Sequence, residues 1–208
     1  QLLEHMLLNG DSTATDALLK LAGGPDKIQT TIKSFGIEGL RVDRYERDQQ
    51  PQALGLDPNP SYVDPKVLEA ASAALGEAKQ KEALDRYLRD RRDTASPRAI
   101  ATLIVKVMSS HLIQPRLAML LLDLMRRTKT DANRLKGGMP AGWAFGHRGG
   151  SSLTIQGTTA AFNDAGLATN KKGAKIAIVL FIKNATLSAA ELAQFHRAAS
   201  RAVIAAWG

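Results

Sequence analysis

Trp143-Ala144-Phe145-Gly146-His147, residues 154–168 and Ile176-Ala177-Ile178-Val179-Leu180-Phe181-Ile182 read as three strands joined by turns. Asn170-Lys171-Lys172-Gly173 suits the hairpin between the last two, because Asn and Gly accept the backbone conformations that a tight reversal requires. Residues 188–207 follow as a helix with Leu192, Phe195, Ala199 and Val203 on one face, expected to cover the sheet. Upstream the texture is helical. Asp11 or Ser12 can cap a helix through about Leu21, Gly23-Gly24 ends it, and Pro25 with Asp26 opens another that stops near Gly36. Residues 40–62 are rich in charge, Gln, Pro and Gly, which predicts a long irregular loop, and residues 67–87 are helix-prone. Pro97 starts a helix to about Ser109 and Gln114-Pro115 another to Arg126, with Ile104, Val105, Met119, Leu120 and Leu124 expected in the core. Helices first, then a meander with a returning helix, predict an α+β chain: a helical lobe over residues 1–139, carrying an extended loop at about 40–96, and a sheet lobe over 140–208.

Composition narrows the function classes. At 208 residues, 44% apolar and 23% charged, the chain can bury a sizeable core. Cysteine is absent, which excludes disulfides, thiolate metal sites and cysteine nucleophiles. His5, His111, His147 and His196 are scattered without metal-ligand spacing, so no metal and no cofactor is expected. The formal net charge is +8, yet Lys and Arg are interleaved with acids, as in Asp85-Arg86-Tyr87-Leu88-Arg89-Asp90-Arg91-Arg92-Asp93, and no aromatic or Gly-rich nucleic-acid motif accompanies them. A solvated face is the reading, with no nucleic-acid partner. No apolar run approaches the roughly 20 residues of a membrane span, and no signal peptide is visible, so no membrane partner is expected. Leu2-Leu3-Glu4-His5-Met6-Leu7-Leu8 has helical apolar spacing with no N-cap before it, as though the chain began inside a fold.

Gly10-Asp11-Ser12-Thr13-Ala14, Leu21-Ala22-Gly23-Gly24-Pro25, Asp43-Arg44-Tyr45-Glu46, Arg92-Asp93-Thr94-Ala95-Ser96-Pro97, Arg134-Leu135-Lys136-Gly137-Gly138-Met139-Pro140-Ala141-Gly142-Trp143 and Arg148-Gly149-Gly150-Ser151 follow one another in this order. Together they resemble the class A serine β-lactamases over nearly the whole chain. The resemblance implies the β-lactamase/transpeptidase-like α+β fold and acyl transfer. In that chemistry a motif-one serine attacks the lactam carbonyl, a lysine one turn later assists, and an acid activates the deacylating water. Glu46 matches that acid, and Gln50 stands where an Asn helps hold the water. Arg44 and Asp93 match the salt bridge at the neck of the omega loop. Here that loop far exceeds usual connection lengths, so an inserted helical flap over the cleft is expected.

The second and third motifs depart from the family at their hydroxyls. Gly10 stands for the serine that passes a proton to the leaving nitrogen, and Ser12 for an Asn that binds substrate, while Asp11 keeps a backbone-bracing part. Arg148 preserves a positive charge, Gly149 deletes the hydroxyl that binds a substrate carboxylate, and Gly150 completes the motif. Arg134 is expected near that carboxylate, and Ser151 at an oxyanion-hole backbone N–H. The double substitution Gly10→Ser with Gly149→Thr is expected to raise kcat/KM.

No serine here is followed three positions later by lysine. Thr30-Thr31-Ile32-Lys33 comes after the second motif and reads as ordinary helix surface, so the nucleophile is not in this chain. The resemblance therefore implies a hydrolase with weak or altered activity on a small β-lactam or peptidoglycan-like substrate. Its own missing N-terminal segment is a possible partner, and the location is bacterial periplasmic or secreted. A non-catalytic penicillin-recognising-fold binding protein and a related esterase or DD-peptidase remain the alternatives.

Overall fold

The computed structural model describes residues 1–109 and 111–207 and has the α+β architecture. The sheet is antiparallel and is built on β3 (Thr158–Asn170). β1 (Trp143–Ser151) pairs with it from Trp143↔Asn170 to Ser151↔Phe162, and the short β2 (Thr154–Ile155) continues along the same partner. β4 (Lys175–Ala185) pairs with the opposite edge of β3, from Thr169↔Lys175 to Thr159↔Ala185. The β3–β4 reversal follows the sequence: Gly173 sits at φ 86°, and Asn170 Oδ1 accepts from the Lys172 and Ala174 amides at 3.0 and 2.9 Å.

One face of the sheet packs Phe145, Ala168, Ile176 and Ile178 against Leu135 and Ile204. Ile204 belongs to α9 (Ala189–Trp207), which buries Leu192, Ala193, His196, Ser200 and Ile204. Phe195 and Val203, expected on the covering face, are exposed together with Trp207. The tight turn Leu135–Gly138 sets this rotation. A Cβ on Gly138 would sit 2.8 Å from the Arg197 Cα, so the turn and helix touch backbone to backbone, which only small residues such as Ala193 and Ser200 allow. His196 Nε2 lies 3.3 Å from the Phe162 carbonyl and fixes the same orientation.

Phe195, Val203 and Trp207 thus leave an apolar strip on α9, and among the described residues β4 has no strand on its second edge. Both are association hazards. A polypeptide of residues 1–208 is expected to self-associate, and Phe195→Lys with Trp207→Lys to raise its monomer fraction in light scattering. A monodisperse parent would contradict this.

The helical part comprises α1 (Leu2–Glu4), running into a π-turn His5–Asn9, then α2 (Ser12–Leu21) and α3 (Pro25–Ser34), the last two starting close to where Asp11 and Pro25 place them. Further on come α7 (Pro97–Met108) and α8 (Pro115–Arg127). Ile104 and Leu124 are buried, but Val105, Met119 and Leu120 are exposed: an apolar stripe on these helices is wider than the face their neighbours cover.

Two differences fall between residues 40 and 96. α4 (Glu46–Ala53) is a helix within the stretch expected to be irregular, and it has no cap of its own at Tyr45. The carboxylate of Asp16, on α2, accepts from the Glu46 and Arg47 amides at 2.7 and 3.2 Å and serves as that cap. The helix-prone segment also divides into α5 (Pro65–Ala74) and α6 (Glu77–Arg89), because Gly76 adopts φ 76°.

Candidate active site

The excursion from Arg44 to Asp93 returns to its starting point through a dense polar neck. Arg44 Nε donates to Asp93 Oδ2 at 2.6 Å, and Asp93 Oδ1 accepts from the amides of Asp43 and Arg44 at 2.6 and 3.0 Å. The Asp93 amide donates to Asp43 Oδ2 at 2.8 Å, with Asp93 at φ 51°, a left-handed geometry that Asp tolerates better than most side chains. Leu40 and Ala95 form a bridge, and the Arg41 amide donates to the Thr94 carbonyl at 2.8 Å. Arg44 also lies 3.4 Å from Asp90.

Charge-assisted hydrogen bonds hold two carboxyls of this neck low. Arg92 draws Asp90 down to about 2 and Arg41 lowers Asp43. A carboxyl whose folded pKa lies below its unfolded value contributes stability that is present above the unfolded value and lost as pH falls toward the folded one. For Asp90 that window runs from 3.8 down to about 2. The neck is therefore expected to lose stability as pH falls from about 4 toward 2, seen as accelerated amide hydrogen exchange in residues 41–96; the same loss already at pH 6 would contradict it.

The clasped loop presents α4 to a cavity of about 700 Å³, bordered by Gly10, Ser12, Glu46 and Gln50 on the helical side and by residues 148–151 of β1 on the other. Asp11 caps α2 through its Oδ1, which accepts from the Ala14 amide at 3.0 Å, and so presents Ser12 at the first helical turn. Gln50 lies one turn after Glu46 on α4, and its Nε2 donates both to Glu46 Oε2 and to Ser12 Oγ, each at 2.9 Å. Glu46, Gln50 and Ser12 therefore form one hydrogen-bonded row along a wall of the cavity. The carboxylate of Glu46 retains accepting capacity for a water or a ligand.

On the opposite wall, the guanidinium of Arg148 donates from Nη1 to Thr130 Oγ1 at 2.8 Å and lies over Gly10. A Cβ at Gly10 would collide with Arg148 Nη2, and Gly10 is at φ 71°. At Gly149 a Cβ would stand 2.7 Å from the Cβ of Asp131. A Cβ on Gly150 would meet nothing within 4 Å, so this position leaves open space beside the strand. The spaces that two hydroxyls would need are thus taken by Arg148 and Asp131, so Gly10→Ser with Gly149→Thr requires both side chains to move. Gly149→Thr is instead expected to destabilise the fold by about 1–3 kcal/mol, as overpacking does, measurable by urea unfolding; unchanged stability would show that Asp131 moves aside freely.

Arg134 departs most from the sequence reading. It is 4% exposed and stacks 3.7 Å over the Phe162 ring. Nη1 donates to the Gly150 and Asn163 carbonyls at 3.1 and 2.7 Å, and Nη2 to Ser151 Oγ at 2.7 Å. Its fork braces the end of β1 and is not free to receive a substrate carboxylate. Ser151 stays at the exposed strand end, its hydroxyl engaged by that guanidinium. Sequence reasoning missed Asp16, Thr130 and Asp131, which act on residues distant in sequence or through the fold. His147, buried with Nδ1 2.9 Å from Asp164 Oδ1, packs behind the strand. Among the described residues no group of His, Cys, Asp and Glu is positioned to hold a metal, and no helix is long and apolar enough to cross a membrane.

Comparison with known proteins bears on family and fold. The chain matches the family described as "Beta-lactamase enzyme family" over residues 1–207. It is 27% identical over 188 residues to the extended-spectrum beta-lactamase PER-1 of Pseudomonas aeruginosa, covering 90% of this chain and 50% of that protein. It is 28% identical over 197 residues to the beta-lactamase FAR-1 of Nocardia farcinica, covering 94% and 50%. Among solved structures, a beta-lactamase from Chitinophaga pinensis superposes with a TM-score of 0.76 at 22% identity, covering 100% of this chain and 64% of that one. An ancestral class A beta-lactamase gives 0.73 at 22%, covering 98% and 63%. The chain spans about half the length of the curated relatives it matches. Family match and shared fold together establish that this chain belongs to the beta-lactamase enzyme family, with class A serine enzymes as its structural neighbours.

Proposed function

We propose that the protein is a serine β-lactamase-like hydrolase in which residues 1–208 supply the deacylation machinery and the cleft walls, while the serine–lysine pair comes from sequence outside them. The observation that carries the reading is the Glu46–Gln50–Ser12 row facing β1 across one cavity. Glu46 is the water-activating acid, Gln50 orients it and reaches toward the substrate side, and Ser12 ties that amide to α2. Gly10 and Gly149 mark where proton delivery and carboxylate anchoring are altered, and Arg148 supplies positive charge. Gly150 and the Ser151 backbone form the floor against which an acyl oxygen would lie. Arg44 and Asp93 clasp the omega loop, and Asp11 braces α2. The substrate class is a β-lactam or peptidoglycan-like small molecule, and the location periplasmic or secreted.

Hydrolysis of nitrocefin by the full-length gene product tests the reading: slow turnover that requires Glu46 supports it, and none at any enzyme concentration contradicts it. The filled spaces at Gly10 and Gly149 favour, as a second reading, a protein that binds such molecules without turning them over. Saturable binding of a penicillin with no hydrolysis would select it.

A further inference from the structure

Next to Arg148 and Gly149, at one border of the cavity, stands a carboxylate of the protein itself, Asp131. Asp131 sits at φ 59°, a left-handed conformation, and its side chain turns back over β1. Its Oδ1 accepts from Arg134 Nη2 at 2.7 Å and its Oδ2 lies 4.0 Å from Arg148 Nη1, so both guanidinium groups at this end converge on one carboxylate. The same Oδ2 would be 2.5 Å from a Cβ at Gly149, closer than any side chain could stand. Glycine at this strand position is thus what gives the carboxylate its place. The Asp131 side chain is 23% exposed and abuts Gly149 and Arg148, both of which border the cavity.

Arg134 explains why the arrangement is held. Burial pushes its guanidinium below the ordinary value, and Asp131 and Asp164 counter that by favouring the charged form. A buried guanidinium without a nearby carboxylate would be strongly unfavourable. An external carboxylate would have to displace a tethered competitor whose local concentration is far higher than its own.

We propose that Asp131 is an internal anion occupying this end of the cleft, so that the site takes ligands uncharged at that end in preference to carboxylates. Exclusion by like charge and filled volume is specificity through repulsion. The ligand class follows from the chemistry: an ester, amide or hydroxyl where the familiar substrates of such a site carry an anion. This ligand class rests on the hydrolase reading above; the occupancy by Asp131 does not.

The test has two arms, both using Asp131→Gly, which accepts the left-handed backbone and removes charge and volume, and Asp131→Asn, which keeps the shape and removes the charge alone. In the first, thermal unfolding is followed with inorganic phosphate against chloride at matched ionic strength. The parent is expected to respond to both alike, whereas Asp131→Gly gains about 5 °C from phosphate and Asp131→Asn less. A parent that responds as the Gly variant does, or two variants that respond as the parent does, would overturn the occupancy. In the second arm, the full-length gene product and its Asp131→Gly variant are given a penicillin and its methyl ester. The parent is expected to favour the ester in kcat/KM, and the variant to gain about tenfold or more on the acid with the ester little changed. A parent that favours the acid tenfold, with both substrates losing alike in the variant, would overturn the ligand class. Failure to turn over either substrate would remove the hydrolase reading and the ligand class with it, while the phosphate arm still decides the occupancy.

Discussion

Exchange of Glu46 for Gln in the full-length gene product is expected to let acylation proceed and to slow deacylation by about 10²–10⁴-fold, the usual contribution of a general base. The amide keeps the shape of the side chain and can still accept from Gln50 Nε2, which lies 2.9 Å from the carboxylate, so the row along α4 stays in place. What is lost is the ability to take a proton from water. Attack by the nucleophile relies in part on other groups, so the adduct should accumulate and turnover should fall to the rate of adduct decay. Unchanged turnover in Glu46→Gln would take this residue out of the mechanism.

The second large effect is expected at the neck. Arg44 is 9% exposed and Asp93 19% exposed at their side chains, so Arg44→Met removes one member of a nearly buried pair. Such a deletion typically costs about 3–5 kcal/mol. The residual exposure of Asp93 and its bonds to two backbone amides argue for the lower end, about 3 kcal/mol. For a chain of this size that lowers Tm by roughly 6–12 °C. Arg44→Lys should lose less, since a point charge keeps the attraction but not the fork that also reaches Gln52. A shift of under about 2 °C in Arg44→Met would show that the loop closes without its clasp.

The parts of this fold that were legible in the sequence are those whose causes are local. Asn170 and Gly173 carry the hairpin conformation in their own side chains, and Pro25, Pro97 and Pro115 open helices by fixing their own φ. α4 escaped because its cap is Asp16, 30 positions upstream, and no local signal replaces a tertiary one. The rotation of α9 escaped because a period of 3.6 residues admits two neighbouring faces. The choice fell to the backbone contact at Gly138, which selects Ala193 and Ser200 over Phe195 and Val203.

The site divides in the same way. The resemblance led to Glu46, Gln50 and Ser12, and the structure joins them in one row, two on α4 at four-residue spacing and the third at the capped start of α2. Arg134 was misread because its neighbours in sequence do not reveal that Phe162 and the carbonyls of Gly150 and Asn163 surround its guanidinium. Gly10 and Gly149 read as deletions until the structure placed Arg148 and Asp131 in their spaces. A glycine can be an absence of chemistry or a vacancy kept for another side chain, and sequence alone does not distinguish them.

Intact-mass analysis of the full-length gene product during exposure to benzylpenicillin bears most directly on the proposed hydrolase. A single covalent adduct should appear and then decay as the hydrolysed penicillin accumulates, and it should persist in Glu46→Gln. A protein whose mass never changes, in the parent and in Glu46→Gln alike, while the penicillin stays intact, would contradict the assignment of this cleft to acyl transfer.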